Sequence, residues 1–170
     1  MISKKRNPKE LINIALNADL SSAHCFLTMY NTAVHLEYFG IANWIYAEYQ
    51  ERLARALRTM NYLHSRKVIT RVTGIKHMPN LITTIIHVLK FIATSEIDNE
   101  EHIDIVRHEL EETDDQEAKD FIIALNDEQD IKVKEAEALF IELKGTSGNK
   151  VKLREIDERF KNIVYKKPVL

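Results

Sequence analysis

Apolar residues recur along this chain in alternating steps of four and three, the spacing that lines one face of an α-helix, and they do so in four long stretches. The first passes through Ile12, Leu16, Asp19, Ala23, Phe26, Tyr30 and Ala33. Asn7 is placed to cap it, Pro8 suits its first position and Glu10 completes a capping box. The second follows the Glu37-Tyr38-Phe39-Gly40 connection as far as about Arg66, through Ile45, Tyr49, Arg52, Ala56, Thr59 and Leu63. Asn80 is the expected cap of the third, which runs Ile82, Ile85, Leu89, Ile92, Glu96, Asn99, Ile103, Val106, Leu110. Thr113 or Asp114 is expected to cap the fourth, with Glu117 completing a box from Asp114; its stripe is Ala118, Ile122, Leu125, Gln129, Lys132, Ala136, Leu139 and Leu143. After Gly145 and Gly148 a short amphipathic segment from Val151 to Val164 predicts a fifth helix.

Four apolar stripes of this length assemble most simply into an all-α, up-down four-helix bundle. The aperiodic segment Lys67 to Pro79, with Gly74 and Pro79 inside it, predicts a long crossover between the second and third helices. We expect one domain over residues 1–170, with the bundle at about 7–144 and the short fifth helix at about 150–164.

Each stripe turns polar near its middle. Asp19, Arg52, Arg55, Glu96, Asn99, Gln129 and Lys132 would therefore meet in one layer inside the bundle. An arginine in a core is rare unless paired, so Arg52 and Arg55 require partners. Inward-facing carboxylates are how bundles build metal or redox sites. The same residues could equally form a buried ion-pair network that fixes helix register, since arginine has no lone pair to offer a metal.

Composition narrows the partners. Lys and Arg total 24 against 26 Asp and Glu, a formal net charge of -2, so nothing favours nucleic acid or an anionic membrane surface. No apolar run approaches the roughly 20 residues of a membrane helix. The single cysteine, Cys25, forms no internal disulfide and reads as an inert core thiol, and the N-terminus lacks an apolar signal core, which points to the cytoplasm. The seven histidines contain no His-x-x-x-His pair, and no Ser/His/Asp set or phosphate loop is present. The acidic run from Glu100 to Asp115 reads as a solvated face.

Several segments together resemble bacterial non-haem ferritins from about Leu11 to Phe160: Asn13-Ile-Ala-Leu-Asn17-Ala-Asp19-Leu20, Asn61-Tyr62-Leu63, Asp120-Phe121-Ile122, Glu128-Gln129, and Ser147-Gly148 followed by Ile156-Asp157. The resemblance implies a ferritin-like bundle, self-assembly into a hollow shell, and iron as cargo. Ferritins oxidise Fe(II) at a dinuclear site made of a Glu on the first helix, Glu-x-x-His on the second, Glu on the third and Gln-x-x-Glu on the fourth. Those places fall here on Asp19, Arg52 and Arg55, Glu96, and Gln129 and Lys132. A cavity-side third site would fall on Glu51, Glu128, Ile131 and Lys132. Haem is not expected, because the Met that bacterioferritins carry after the second-helix Glu is Leu53 here.

Two Fe(II) ions would bring four positive charges to a site already holding three. Each like-charge pair costs roughly 4 kcal/mol at about 4 Å and an effective dielectric of about 20. We therefore expect Arg52 and Arg55 to pair with Glu96 and Asp19, with Lys132 joining, and ferroxidase activity to be lost. Asp19, Glu51, Glu96, Glu128 and Gln129 remain the candidate metal ligands, holding iron weakly or at the cavity surface, with no catalytic residue assigned. The expected partners are further copies of the chain and a co-assembling catalytic ferritin subunit. The competing readings are an active ferroxidase using Asp19, Glu96 and Gln129, and a four-helix interaction module that never forms a cage.

Overall fold

Asn7 starts the first helix: its Oδ1 accepts from Lys9 N at 3.1 Å and Pro8 fills the first helical position, so α1 runs Pro8–His35. The computed structural model describes residues 7–74 and 82–164. The other helices are α2 (Phe39–Ser65), α3 (Ile85–Glu111), α4 (Gln116–Gly145) and α5 (Lys150–Arg159). Asn80 lies outside the described residues, and the cap of α3 is Thr84, whose Oγ1 accepts from His87 N at 3.2 Å. Ile82 consequently precedes the helix. The cap of α4 is Asp115 rather than Thr113 or Asp114; its Oδ1 accepts from Ala118 N at 3.1 Å.

Two apolar clusters fill the bundle, one at each end. The first joins late α1 (Phe26, Met29) to early α2 (Ile41, Ile45), early α3 (Leu89, Ile92) and late α4 (Leu139, Leu143). The second joins early α1 (Ile12, Leu16) to late α2 (Leu63), late α3 (Ile103, Leu110) and early α4 (Ile122, Leu125). Hence α1 is antiparallel to α2, α3 to α4, and α2 runs parallel to α3. Ser65 and Ile85 consequently lie at opposite ends of the bundle. The described part of the link between them, up to Gly74, is tied to α1 by two asparagines. Asn13 both donates to Arg71 O and accepts from Arg71 N, at 2.9 Å each, and Asn17 Oδ1 accepts from Thr73 N at 2.7 Å. Pro79 lies outside the described residues.

Gly40, expected to separate two helices, sits inside the first turn of α2. A Cβ there would fall 1.8 Å from the carbonyl oxygen of Asp157 on α5, so only glycine fits. The close approach lets Asp157 Oδ1 accept from Ile41 N at 2.8 Å, which caps α2 where Tyr38 offers no side-chain cap of its own. α5 ends at Arg159, short of the expected 164. Asn43 Nδ2 on α2 donates to the carbonyls of Phe160 (3.1 Å) and Ile163 (2.6 Å) and turns the chain there.

At the other end, Arg66 grips Asp115 with two parallel bonds of 2.9 and 2.7 Å, and Tyr62, whose hydroxyl accepts from Arg66, stacks on Phe121 at 4.0 Å. The bonds from Arg66 hold the Asp115 carboxyl below its ordinary value. Asp115→Asn keeps a good cap and removes the pair. We expect a loss of about 0.5–1 kcal/mol at pH 7, allowing for solvent screening. A carboxyl titrating lower in the folded state contributes stability above its unfolded pKa and loses it as pH falls through the folded one. The gap between wild type and variant in urea melts should therefore close below about pH 4.

Candidate functional site

The two apolar clusters are separated by a layer of polar side chains from all four long helices. Asp19 and Gln129 are wholly buried, Arg52 is 1% exposed, and Glu96, Asn99 and Arg55 are nearly so. Arg52 is the largest fully buried side chain described. Such a group persists only where every charge is met, and here the pairing is dense. Arg55 Nε donates to both oxygens of Asp19 at 3.0 and 2.9 Å, and its Nη2 reaches Asp19 again and Gln129 Oε1 at 2.7 Å. Arg52 Nη2 donates to Glu96 Oε1 and lies 3.7 Å from Glu48, while its guanidinium sits 5.4 Å from the centre of the Phe26 ring.

Gln129 joins the two halves. Its Oε1 accepts from Arg55 and from Asn99 (3.3 Å), and its Nε2 donates to the backbone oxygen and to Oε2 of Glu96 at 2.8 and 2.7 Å. Asn99 Nδ2 also donates to Asp19 Oδ1 at 3.1 Å. Burial alone would pull the Arg52 guanidinium down, but Glu96 and Glu48 beside it raise it overall, so it stays charged.

Lys132 does not enter this layer. From Gln129 the inward position one turn on is Val133, which is buried, and Lys132 emerges at the edge between α2 and α4. There Nζ is held by Glu48 (2.9 Å), Glu51 (2.7 Å) and Glu135 (3.2 Å). Its link to the layer runs through Glu48, which also faces Arg52. Glu48 faces inward where the four-three stripe expects Tyr49. The available signal was its position four before Arg52 on a helix, the spacing at which Glu and Arg pair. Burial pushes the Glu48 carboxyl above its ordinary value, against the pull of Arg52 and Lys132. With Glu48 included, the layer sets Asp19, Glu48 and Glu96 against Arg52 and Arg55, and Lys132 meets Glu48 from the edge.

Of the five candidate metal ligands, Asp19, Glu96 and Gln129 are brought together. Glu51 sits on Lys132, and Glu128 lies on the surface, where Arg58 donates to both its oxygens at 2.8 and 2.6 Å. As arranged, the donor set presents no open face to a metal ion, because each buried carboxylate is engaged by a protein cation. Among the described residues no group of three or more His, Cys, Asp or Glu is placed to hold one. No described helix is long and apolar enough to cross a membrane.

The family model for the ferritin-like domain matches residues 9–145. Among solved structures, a ferritin of Archaeoglobus fulgidus engineered into a closed form superposes with a TM-score of 0.88 at 18% identity, over 98% of this chain and 100% of that one. The open-pore ferritin from the same hyperthermophilic archaeon gives 0.87 at 19% identity, over 96% and 100%. A humanized archaeal ferritin gives 0.88 at 19%, over 98% and 99%. At such identity the likeness carries the fold alone. Compared by sequence with curated proteins, the chain matches none.

Proposed function

Since the chain belongs to the ferritin-like family, we propose that it is a cytoplasmic subunit of a ferritin-type shell, built from copies of itself, that stores or sequesters iron without oxidising it inside the subunit. The observation that carries this reading is the pairing of Arg52 with Glu96 and of Arg55 with Asp19. Those guanidiniums stand where the resemblance to ferritins puts metal ligands, so protein cations hold the carboxylates that iron would need. The shell is carried over from that resemblance, and exposed apolar residues such as Leu57, Ile69 and Val72 on α2 and the crossover support burial against further copies. In this reading oxidation comes from a co-assembled catalytic subunit, and Glu51 and Glu128, of the cavity-side set, bind iron weakly, since Lys132 and Arg58 already hold them.

A second reading keeps oxidation at Asp19, Glu96 and Gln129, the ligand types that remain. It requires both buried guanidiniums to swing off their carboxylates, which leaves charges unpaired in the core. Fe(II) added under air to the purified protein separates the two. We expect initial oxidation no faster than in protein-free buffer, and sedimentation as a shell many times the 19.8 kDa of the chain. Rapid oxidation would favour the enzyme, and a dimer or monomer would favour a small interaction module.

A further inference from the structure

Outside the buried layer, on the side of α5, α2 and α4 leave between them an open groove of about 440 Å³. Trp44 and Ala47 from α2 and Leu139 from α4 give it an apolar floor, and Glu51 and Glu135 stand on it from opposite helices. Ile163 and Val164 complete the lining, so the chain enters the groove at its last described residue. Val164 is apolar and yet 78% exposed there. The point of entry is fixed, because Asn43 Nδ2 on α2 holds the carbonyl of Ile163 at 2.6 Å.

The charges in the groove do not balance. Lys132 Nζ is one cation shared by Glu48, Glu51 and Glu135. Glu48 also faces Arg52, but Arg52 is answered by Glu96 as well, so four carboxylates meet two cations. The surplus lies at the open side, on Glu51 and Glu135, whose side chains are 40% and 50% exposed. Among the described residues neither is ion-paired with a second cation. The groove therefore suits a short basic segment with some apolar body.

We propose that the occupant is residues 165–170 of the same chain, with Lys166 and Lys167 pairing with Glu51 and Glu135. These residues lie outside the described ones, and their sequence is Tyr165-Lys166-Lys167-Pro168-Val169-Leu170. Two adjacent lysines match two surplus carboxylates. Successive side chains of an extended segment point to opposite sides, and the two carboxylates stand on opposite helices. Pro168 favours the extended form for Lys167 before it. The reach suffices as well. From Trp44 to Glu51 is about 10 Å of helix, and the three residues from Val164 to Lys167 span about 10 Å when extended. The docking rests on the groove and its charges and needs no metal, so it stands apart from the iron reading.

Acetylation of the full chain with a succinimidyl ester in metal-free buffer, read lysine by lysine by mass spectrometry, tests the contact. An amine held by a carboxylate stays protonated and reacts slowly. Lys166 and Lys167 are expected to react about threefold or more slowly than Lys134, an exposed lysine of α4, and to lose that protection in Glu51→Gln/Glu135→Gln. Carbodiimide coupling of the wild type should join Lys166 or Lys167 to Glu51 or Glu135. No such link should form in protein co-expressed from two variants, Lys166→Gln/Lys167→Gln and Glu51→Gln/Glu135→Gln, because neither chain then holds both partners. Acetylation as fast as at Lys134, protection unchanged without the carboxylates, or no link in the wild type would each overturn the proposal. Links in the co-expressed protein would overturn it too, by giving the groove to the tail of a second copy.

Discussion

Arg55→Met is expected to lower the free energy of unfolding by about 3–5 kcal/mol, a large share of a typical domain's stability. The side chain is 5% exposed, and its Nε and Nη2 supply most of the hydrogen bonds to Asp19, which is wholly buried. Without it Asp19 retains one neutral donor, Asn99, and Gln129 Oε1 loses its charged one. The penalty comes from stranding a carboxylate more than from losing a favourable bond. Asp19→Leu combined with Arg55→Met should accordingly recover much of the loss, because a well-packed apolar pair often equals a buried ion pair. Arg58→Met provides the contrast. It breaks an ion pair with Glu128 in which both side chains are more than 40% exposed, and should cost no more than about 1 kcal/mol. Urea denaturation of the three variants beside the wild type measures all of this. A loss below about 1 kcal/mol for Arg55→Met would mean that the layer is solvated.

Arg52→Glu/Arg55→His/Lys132→Glu is expected to raise the initial rate of aerobic Fe(II) oxidation by at least about tenfold, which corresponds to roughly 1.4 kcal/mol of barrier. Three carboxylates facing three cations become five carboxylates and an imidazole, a set that favours divalent metal instead of excluding it. The same change destabilises the metal-free protein, since the new carboxylates repel Glu48, Glu96 and Asp19. Added Fe(II) should therefore raise the melting temperature of the variant far more than that of the wild type. Oxidation that stays at the buffer rate in a variant that binds iron and remains folded would show that the three cations are not what silences the site.

The bundle and its polar layer could be read from the chain because the four-three spacing points Asp19, Arg52, Glu96, Asn99 and Gln129 inward on four separate helices. An α-helix turns in about 3.6 residues, so steps of three and of four both stay near one face, and spacing alone does not choose Glu48 over Tyr49 or Val133 over Lys132. Thr113, Asp114 and Asp115 all suit a cap, and only the grip of Arg66 on Asp115 decides among them. The early end of α5 depends on Asn43, a contact that cannot be seen in one segment.

Asp157 also bears on the order in which the chain can acquire its structure. The amide of Ile41 waits for a carboxylate 116 residues further on, and Gly40 marks where that later segment must touch. During synthesis the α1/α2 hairpin emerges early, with the first turn of α2 open at its amino end. It remains frayed there until α4 is laid down and α5 follows it, because closing so long a loop gains nothing until both ends exist. The N-terminal half of this protein is thus completed by its C-terminal helix. A chain halted after α4 would carry an intact buried layer beneath an unfinished corner.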